Sequence, residues 1–224
     1  EEDVLRKAII PCRVSPQQGV KQMPKREFKT IYRELYQPPM EPVTVDVPAM
    51  NFIMIDGSGD PETDPWYQQV VEALYAVGYS IKFILKERSE DLDFVMPPLE
   101  GLWWAEDMAA FTEAKREDWQ WTMMLMIPEP VDDEMYLEGH KKACEKKCLV
   151  AADLMRFERF DEGLSAQIMH RGPYAEEGPT VQRLHAFIAE QGHRPRGKHH
   201  EIYLSDPRRA KPESMKTVIR QPVG

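Results

Sequence analysis

The sequence predicts an α+β domain of two strand-helix-strand-strand repeats related by a pseudo-twofold axis, with antiparallel sheets, helices on one side and a central ligand cleft. Three observations lead there. The segments PWYQQVVEALYAVGY, from Pro65, and PTVQRLHAFIAEQGH, from Pro179, align at a constant offset of 114 residues, pairing Pro65 with Pro179, Gln68 with Gln182 and Gly78 with Gly192. Each is followed by a glutamate-bearing extended segment, LEGLWW at 99–104 and HEIYLS at 200–205. Each half then closes on one more extended run, Trp119 to Ile127 and Met215 to Arg220. Self-similarity of this kind marks an internal repeat, and half-domains with an uncovered sheet edge or face bury it against a twin.

Taken in order, residues 1–26 carry Pro11, Pro16 and Pro24, show no sustained period and read as an irregular lead-in to a single domain over 27–224. Repeat one spans about 43–130 and repeat two about 153–223. Val43, Val45 and Val47 alternate with Thr44 and Asp46 among prolines, as an edge or polyproline-like segment would. Met50 to Asp56 is rich in β-formers and stops at Gly57-Ser58-Gly59-Asp60-Pro61, so it reads as a strand entering a turn. In register with the helices, Ile53 to Ile55 falls on Gln167 to Met169. From Pro65 the period becomes helical, with Asp64 as cap, Val70, Val71, Leu74 and Val77 on one stripe, and Gly78 as the expected stop.

Phe94 to Trp104 and Trp119 to Ile127 read as strands joined by a charged connector over 106–118; in the second, Trp119, Trp121, Met123, Leu125 and Ile127 share one face and Gln120, Thr122, Met124 and Met126 the other. Asp132 or Asp133 is placed to cap a charged helix running through Lys147.

Composition removes several function classes. With 38 acidic and 29 basic residues the chain carries a formal charge of −9, which repels nucleic acid and anionic membranes. Its hydrophobic content of 42% over 224 residues suffices for a buried core. No apolar run reaches membrane-spanning length and Glu1-Glu2-Asp3 is unlike a secretion signal, so a cytoplasmic location is expected. The three cysteines, Cys12, Cys144 and Cys148, suit a reducing compartment. No phosphate loop, nucleophile elbow or Cys-x-x-Cys occurs, which disfavours nucleotide hydrolases and dehydrogenases. His140, Cys144 and Cys148 recur every four residues but lack a fourth ligand, so no metal or other cofactor is expected.

The candidate chemistry sits on residues 199–206. Alternation puts Glu201, Tyr203 and Ser205 on one face and His200, Ile202 and Leu204 on the other. In a partly closed cleft the Glu201 carboxylate serves as a base, and the Tyr203 phenol donates to a developing oxyanion; the alternative is a solvated strand face. Either His199 or His200 can tune Glu201, although their position at the strand start is equally that of solvated histidines. Trp103, Trp104 and Trp121, with Met126 and Tyr174, are the candidate walls for a small aromatic or planar ligand, and large aromatics also serve simply as core.

With these residues in view, the sequence resembles the GyrI-like small-molecule-binding proteins of the SOUL-type superfamily in their stand-alone form. The likeness rests on MNFIMIDGSGDP (50–61), VEALYAVGYSIKF (71–83), PPLEGLWW (97–104), WQWTMMLMIPE (119–129), RGPYAEEGPTVQRLHAFI (171–188), HHEIYLSDPRRAKPE (199–213) and KTVIRQPV (216–223). The resemblance implies two strand-helix-strand-strand repeats, the cleft glutamate at Glu201, its neighbouring tyrosine at Tyr203, and Trp104 in the aromatic wall. It further implies a hydrolase of cyclopropanoid natural products, or else a non-catalytic module that sequesters planar or cationic ligands. Residues 1–26 fall outside the likeness and show no helix-turn-helix pattern, so a DNA-binding regulator is not expected.

Overall fold

A computed structural model describes residues 25–105 and 116–224. The lead-in over 1–24, with Cys12, and most of the 106–118 connector lie outside the described residues. Eight strands form one antiparallel sheet: β1 (Val43–Val47), β2 (Met50–Ser58), β3 (Leu99–Trp104), β4 (Gln120–Met126), β5 (Arg156–Phe160), β6 (Gly163–Arg171), β7 (His199–Tyr203) and β8 (Lys216–Pro222), ordered β1-β6-β8-β7-β3-β4-β2-β5. The helices are α1 (Phe28–Ile31), α2 (Arg33–Tyr36), α3 (Pro65–Arg88), α4 (Asp133–Lys146) and α5 (Gly178–Glu190).

The order is symmetric about the β3/β7 junction. Repeat one contributes β2, α3, β3 and β4, and repeat two contributes β6, α5, β7 and β8 in matching places. The strands leading each repeat are exchanged: β1 pairs with β6, and β5 with β2. That exchange curls the sheet. β1 and β2 are six strand spacings apart in the order, about 29 Å if the sheet were flat. Yet Val47 and Met50 are joined through only Pro48 and Ala49, a reach of about 11 Å. The linker is satisfied only if the two ends of the sheet bend toward each other into a half-barrel.

One face of the sheet carries α3, α4 and α5. Ile53, Ile55, Met123 and Leu125 of repeat one are fully buried there with Val70, Leu74, Val77 and Ile81 of α3. Ile168 and Ile219 pack with Leu184 and Ile188 of α5 in a second cluster. The sequence offset of 114 slips by one residue in the strands: Ile53 and Ile55 face the helices, whereas Gln167 and Met169 turn away from them and Ile168 takes that role. A one-residue shift costs nothing in helix register and reverses every strand side chain.

Caps and glycines set the helix limits. Asp64 accepts from the Trp66 amide at 2.8 Å and Asp132 from Met135 at 2.9 Å, capping α3 and α4. The expected stop at Gly78 does not occur, since α3 continues to Arg88. Gly78 is buried against Leu125 and Met96, where a Cβ would stand 3.4 Å from each, so it serves close packing of helix on sheet. Its counterpart Gly192 has φ +77° and does end α5. The extended region expected from Phe94 becomes a strand only from Leu99, and β5 carries no signal recognised in the sequence. Among the described helices none is long and apolar enough to cross a membrane.

The other face holds a buried polar network beneath β7. His200, 1% exposed, contacts Glu100 Oε2 through Nε2 at 3.0 Å and Glu162 Oε1 through Nδ1 at 2.9 Å. Arg220 donates to Glu162 Oε2, Gln167 Oε1 and the Leu35 carbonyl, and Tyr36 donates to Glu100 Oε1 at 3.0 Å. Burial opposes charge on His200, but Glu162 and Glu100 override it and raise its pKa to about 9; His200 and Arg220 likewise overcome burial to lower Glu162 to about 2. Two carboxylates and two cations are thereby neutralised and hydrogen-bonded, the condition under which charge is tolerated in a core.

Candidate functional site

The helix-bearing face of β3 and β7, between α3 and α5, gathers most of the chemistry. Cross-strand pairing places Gly101 opposite Glu201, Trp103 opposite His199 and Leu99 opposite Tyr203, and directly opposed residues share a face. Tyr203 donates its hydroxyl proton to Glu201 Oε2 at 2.8 Å, and the Trp103 indole N–H donates to the Tyr203 oxygen at 2.8 Å. His199 Nε2 stands 3.3 Å from Glu201 Oε1. The Glu201 side chain keeps 17% of its surface exposed, so solvent and a ligand reach a carboxylate held from both sides.

Gly101 makes this arrangement sterically possible. A Cβ there would lie 2.8 Å from Trp103 Nε1 and 3.0 Å from the Tyr203 hydroxyl. The missing side chain is the space in which indole and phenol meet.

Aromatic rings surround the carboxylate. Tyr67, from the first turn of α3, stacks on Trp103 at 6.4 Å and meets the edge of Trp121 at 5.3 Å. Tyr174 meets Tyr203 edge-on at 5.5 Å from a short turn, Tyr174–Glu176, before α5. Glu177 follows that turn and is 6% exposed, with its Oε1 buried and without a hydrogen-bond partner.

The two carboxyls are driven apart in acidity. Burial, then the Glu201 charge, raises Glu177 well above the carboxylate range. Burial also opposes ionisation of Glu201, but the hydrogen bond and charge of His199, with the hydrogen bond from Tyr203, outweigh it and lower its pKa. Desolvation and the Glu201 charge raise Tyr67 and Tyr203, keeping both phenols protonated. At neutral pH the site holds one ionised carboxylate, one protonated carboxyl and neutral phenols.

The residues singled out in the sequence thus divide. Glu201, Tyr203, Trp103, Trp121 and Tyr174 come together on the helix-bearing face. Trp104 and Met126 do not, because each is one step from a site-facing residue and points through to the other side. Trp104 accepts the Lys198 ammonium over its ring at 3.3 Å and donates to Gln120. Met126 lines a separate crevice of about 200 Å³ with Phe28, Tyr32 and Asn51. Glu100 is the sequence counterpart of Glu201 and likewise faces away, with His200 as its hydrogen-bond partner. His199 and His200 are both buried, 5% and 1% exposed, and only His199 touches Glu201.

Reading the sequence passed over Glu177, Tyr67 and Gly101. In Glu176-Glu177 no pattern separates the exposed first glutamate from the buried second; that depends on how the turn enters α5. His140 and Cys144 sit 3.9 Å apart with His140 Nε2 on the Ala152 carbonyl, and no metal-binding group of side chains occurs among the described residues.

A curled antiparallel sheet with an aromatic-ringed carboxylate between two symmetry-related helices defines a small-molecule-binding domain. The chain belongs to the family of the GyrI-like small molecule binding domain, which it matches over residues 40–223. It is similar to the crystal structure of an uncharacterized conserved protein from Listeria innocua, at 42% identity and a TM-score of 0.79, covering 89% of this chain and 100% of that one. It is also similar to a hydrolase from Listeria innocua, at 40% identity and a TM-score of 0.77, with the same coverage. The C-terminal domain of EcmrR shares the fold at 10% identity and a TM-score of 0.54, covering 82% of this chain and 97% of that domain. No curated protein matches the chain.

Proposed function

We propose that this protein hydrolyses cyclopropanoid small molecules, opening the strained ring of spirocyclopropyl dienones by addition of water and so detoxifying them. The observation that carries the reading is the Trp103–Tyr203–Glu201 relay, which ends on an ionised, partly exposed carboxylate inside an aromatic ring of Tyr67, Trp103 and Tyr174. The hydrolase from Listeria innocua supports it at the level of reaction class.

Ring opening needs an oriented water and a flat seat for the dienone. Glu201, kept ionised beside His199, accepts the proton of the attacking water. Tyr203 has a single hydroxyl proton and directs it at Glu201, so it orients that base. The aromatic side chains stack on the planar substrate and hold it against the water.

The same ring also suits sequestration of a planar or cationic ligand without turnover, a carboxylate among aromatics being what a cation selects. Incubating the purified protein with a spirocyclopropyl dienone separates the two. Loss of dienone absorbance beyond one equivalent, with a water adduct by mass, establishes the hydrolase. Saturation at one equivalent with intact ligand leaves a binding module.

A further inference from the structure

Two buried oxygens beside the site lack a partner. Thr217 on β8 is fully buried, and its Oγ1 makes no hydrogen bond; Glu177, at the start of α5, is 6% exposed and its Oε1 makes none either. The hydroxyl therefore does not bond that carboxyl. Buried polar atoms are normally satisfied, so two in one place call for a hydrogen-bonding group from outside the chain.

Strand register and the path of α5 bring both to the edge of the Glu201 site. Thr217 lies directly opposite Tyr203 on one side and His170 on the other, so the three share the helix-bearing face. The next pair on that face, Ile168 and Ile219, packs against Leu184 and Ile188 of α5. One turn before Leu184, Thr180 meets His170 Nδ1 at 2.9 Å, which sets the first turn of α5 above the His170–Thr217 pair. Glu177 continues the inward stripe of Leu184 and Ile188, seven and eleven residues ahead of them. Tyr174, three residues earlier still, lies edge-on to Tyr203. Glu177 and Thr217 thus border Tyr203 on its β8 side, next to the aromatic seat.

We infer that Glu177 and Thr217 form a subsite for a carboxamide carried by the planar ligand, whose N–H donates to Glu177 Oε1 while the Thr217 hydroxyl donates to its carbonyl. The inference rests on the aromatic-ringed site being where the ligand lies, and it holds whether that ligand is turned over or only bound. An ionised carboxylate is costly where one of its oxygens is buried without a hydrogen bond, whereas a protonated carboxyl tolerates the place. Burial and the Glu201 charge accordingly raise Glu177 to about 9 against the opposing pull of Thr217. A neutral carboxyl oxygen and a hydroxyl are complemented by a neutral group that both donates and accepts. An amide does so in the plane of the ring that bears it. An ammonium only donates and a carboxylate only accepts, so each leaves one of the two oxygens unsatisfied. His170 does not compete, because Thr180 and the Pro173 carbonyl occupy its two nitrogens.

The test is equilibrium dialysis at pH 7 with three flat probes of one shape: 2-naphthamide, 2-acetylnaphthalene, which keeps the carbonyl but has no N–H, and 2-naphthylmethylammonium. The wild type should bind the amide about tenfold more tightly than the ketone. Thr217→Val and Glu177→Leu, shown to be folded by near-UV circular dichroism, should bring the two within about twofold. Glu177→Gln should keep the preference, because its amide oxygen accepts as the neutral carboxyl does. Equal affinity of the wild type for amide and ketone would mean that water alone satisfies the two oxygens, and overturns the inference without any variant. Tightest binding of the ammonium probe, lost in Glu177→Gln with Glu201 intact, would show an ionised Glu177 that reads charge, and overturns it as well. Binding of none of the three would remove the ligand site itself, and with it the subsite. Spirocyclopropyl dienone turnover is read separately, so failure of the hydrolase reading leaves the ranking of the probes to decide the subsite.

Discussion

The Trp103 indole N–H donates to the Tyr203 phenol at 2.8 Å, joining two residues one hundred positions apart into one relay that ends on Glu201. Because the phenol accepts from the indole while it donates to the carboxylate, its own dipole is fixed toward Glu201. Tyr203→Phe removes a donor to an ionised group, an interaction worth about 1.5–3 kcal/mol. Turnover of a spirocyclopropyl dienone should fall about tenfold or more, and the acid limb of the kcat profile should move to higher pH as Glu201 becomes easier to protonate. An acid limb that stays in place would show that the phenol does not govern the carboxylate.

Glu201→Gln keeps the shape of the site and removes the base. Ligand affinity, measured by quenching of tryptophan fluorescence, should persist within a few-fold while turnover drops about 10²- to 10⁴-fold. Unchanged turnover would remove Glu201 from the mechanism.

Gly101→Ala should damage the relay without touching any polar residue. The new methyl would lie 2.8 Å from Trp103 Nε1 and 3.0 Å from the Tyr203 hydroxyl, so one ring must move and the hydrogen bond between them opens. Overpacking of this kind costs about 1–3 kcal/mol. A lowered melting temperature with lost activity is expected; a variant as stable and active as wild type would mean that the rings have slack.

Trp104→Ala gives the opposite result. Trp104 packs with Lys198 and Gln120 on the face remote from Glu201, so kcat should stay within about twofold of wild type, an effect under ~0.5 kcal/mol. Trp103→Ala should lose both activity and stability. Equal losses from the two substitutions would show that the strand register differs in solution.

The His200 network makes stability depend on pH in a defined way. The folded pKa of His200 is raised to about 9, from about 6.5 unfolded, so its contribution is complete below pH ~6.5 and is lost as pH rises through 9. Glu162 is lowered to about 2 in the folded state, so its contribution is complete above about 4.5 and is lost as pH falls through 2. Denaturant midpoints should therefore be highest near pH 5 to 6 and decline on both sides. Glu162→Gln leaves His200 and Arg220 buried with half their neutralisation; by the usual cost of breaking a buried pair, about 3–5 kcal/mol should be lost. A midpoint that does not fall between pH 7 and 9 would show that the fold does not hold His200 charged.

The fold was legible because its signals are local and periodic. The stripe Val70, Leu74, Val77, the caps Asp64 and Asp132, and alternation in Trp121, Met123, Leu125 each follow from the period of a single element. The half-domain repeat was equally visible in the matching helices after Pro65 and Pro179. The exchange of β1 and β5 was not, because a strand does not specify its neighbour. The buried His200 network was hidden for a similar reason, since Glu162 and Arg220 meet His200 only when three separate segments converge.

What the sequence by itself determined was the class of the domain and the pairing of Glu201 with Tyr203, since residues two apart on a strand share a face wherever the strand lies. Only the tertiary structure decided which tryptophan joins them, because a single residue of register exchanges Trp103 for Trp104 across the sheet. It alone buried Glu177 at the start of α5 and cleared the space over Gly101. Side-chain alternation is a local property of the chain, whereas the burial of a carboxyl and the meeting of an indole with a phenol are set by packing between elements.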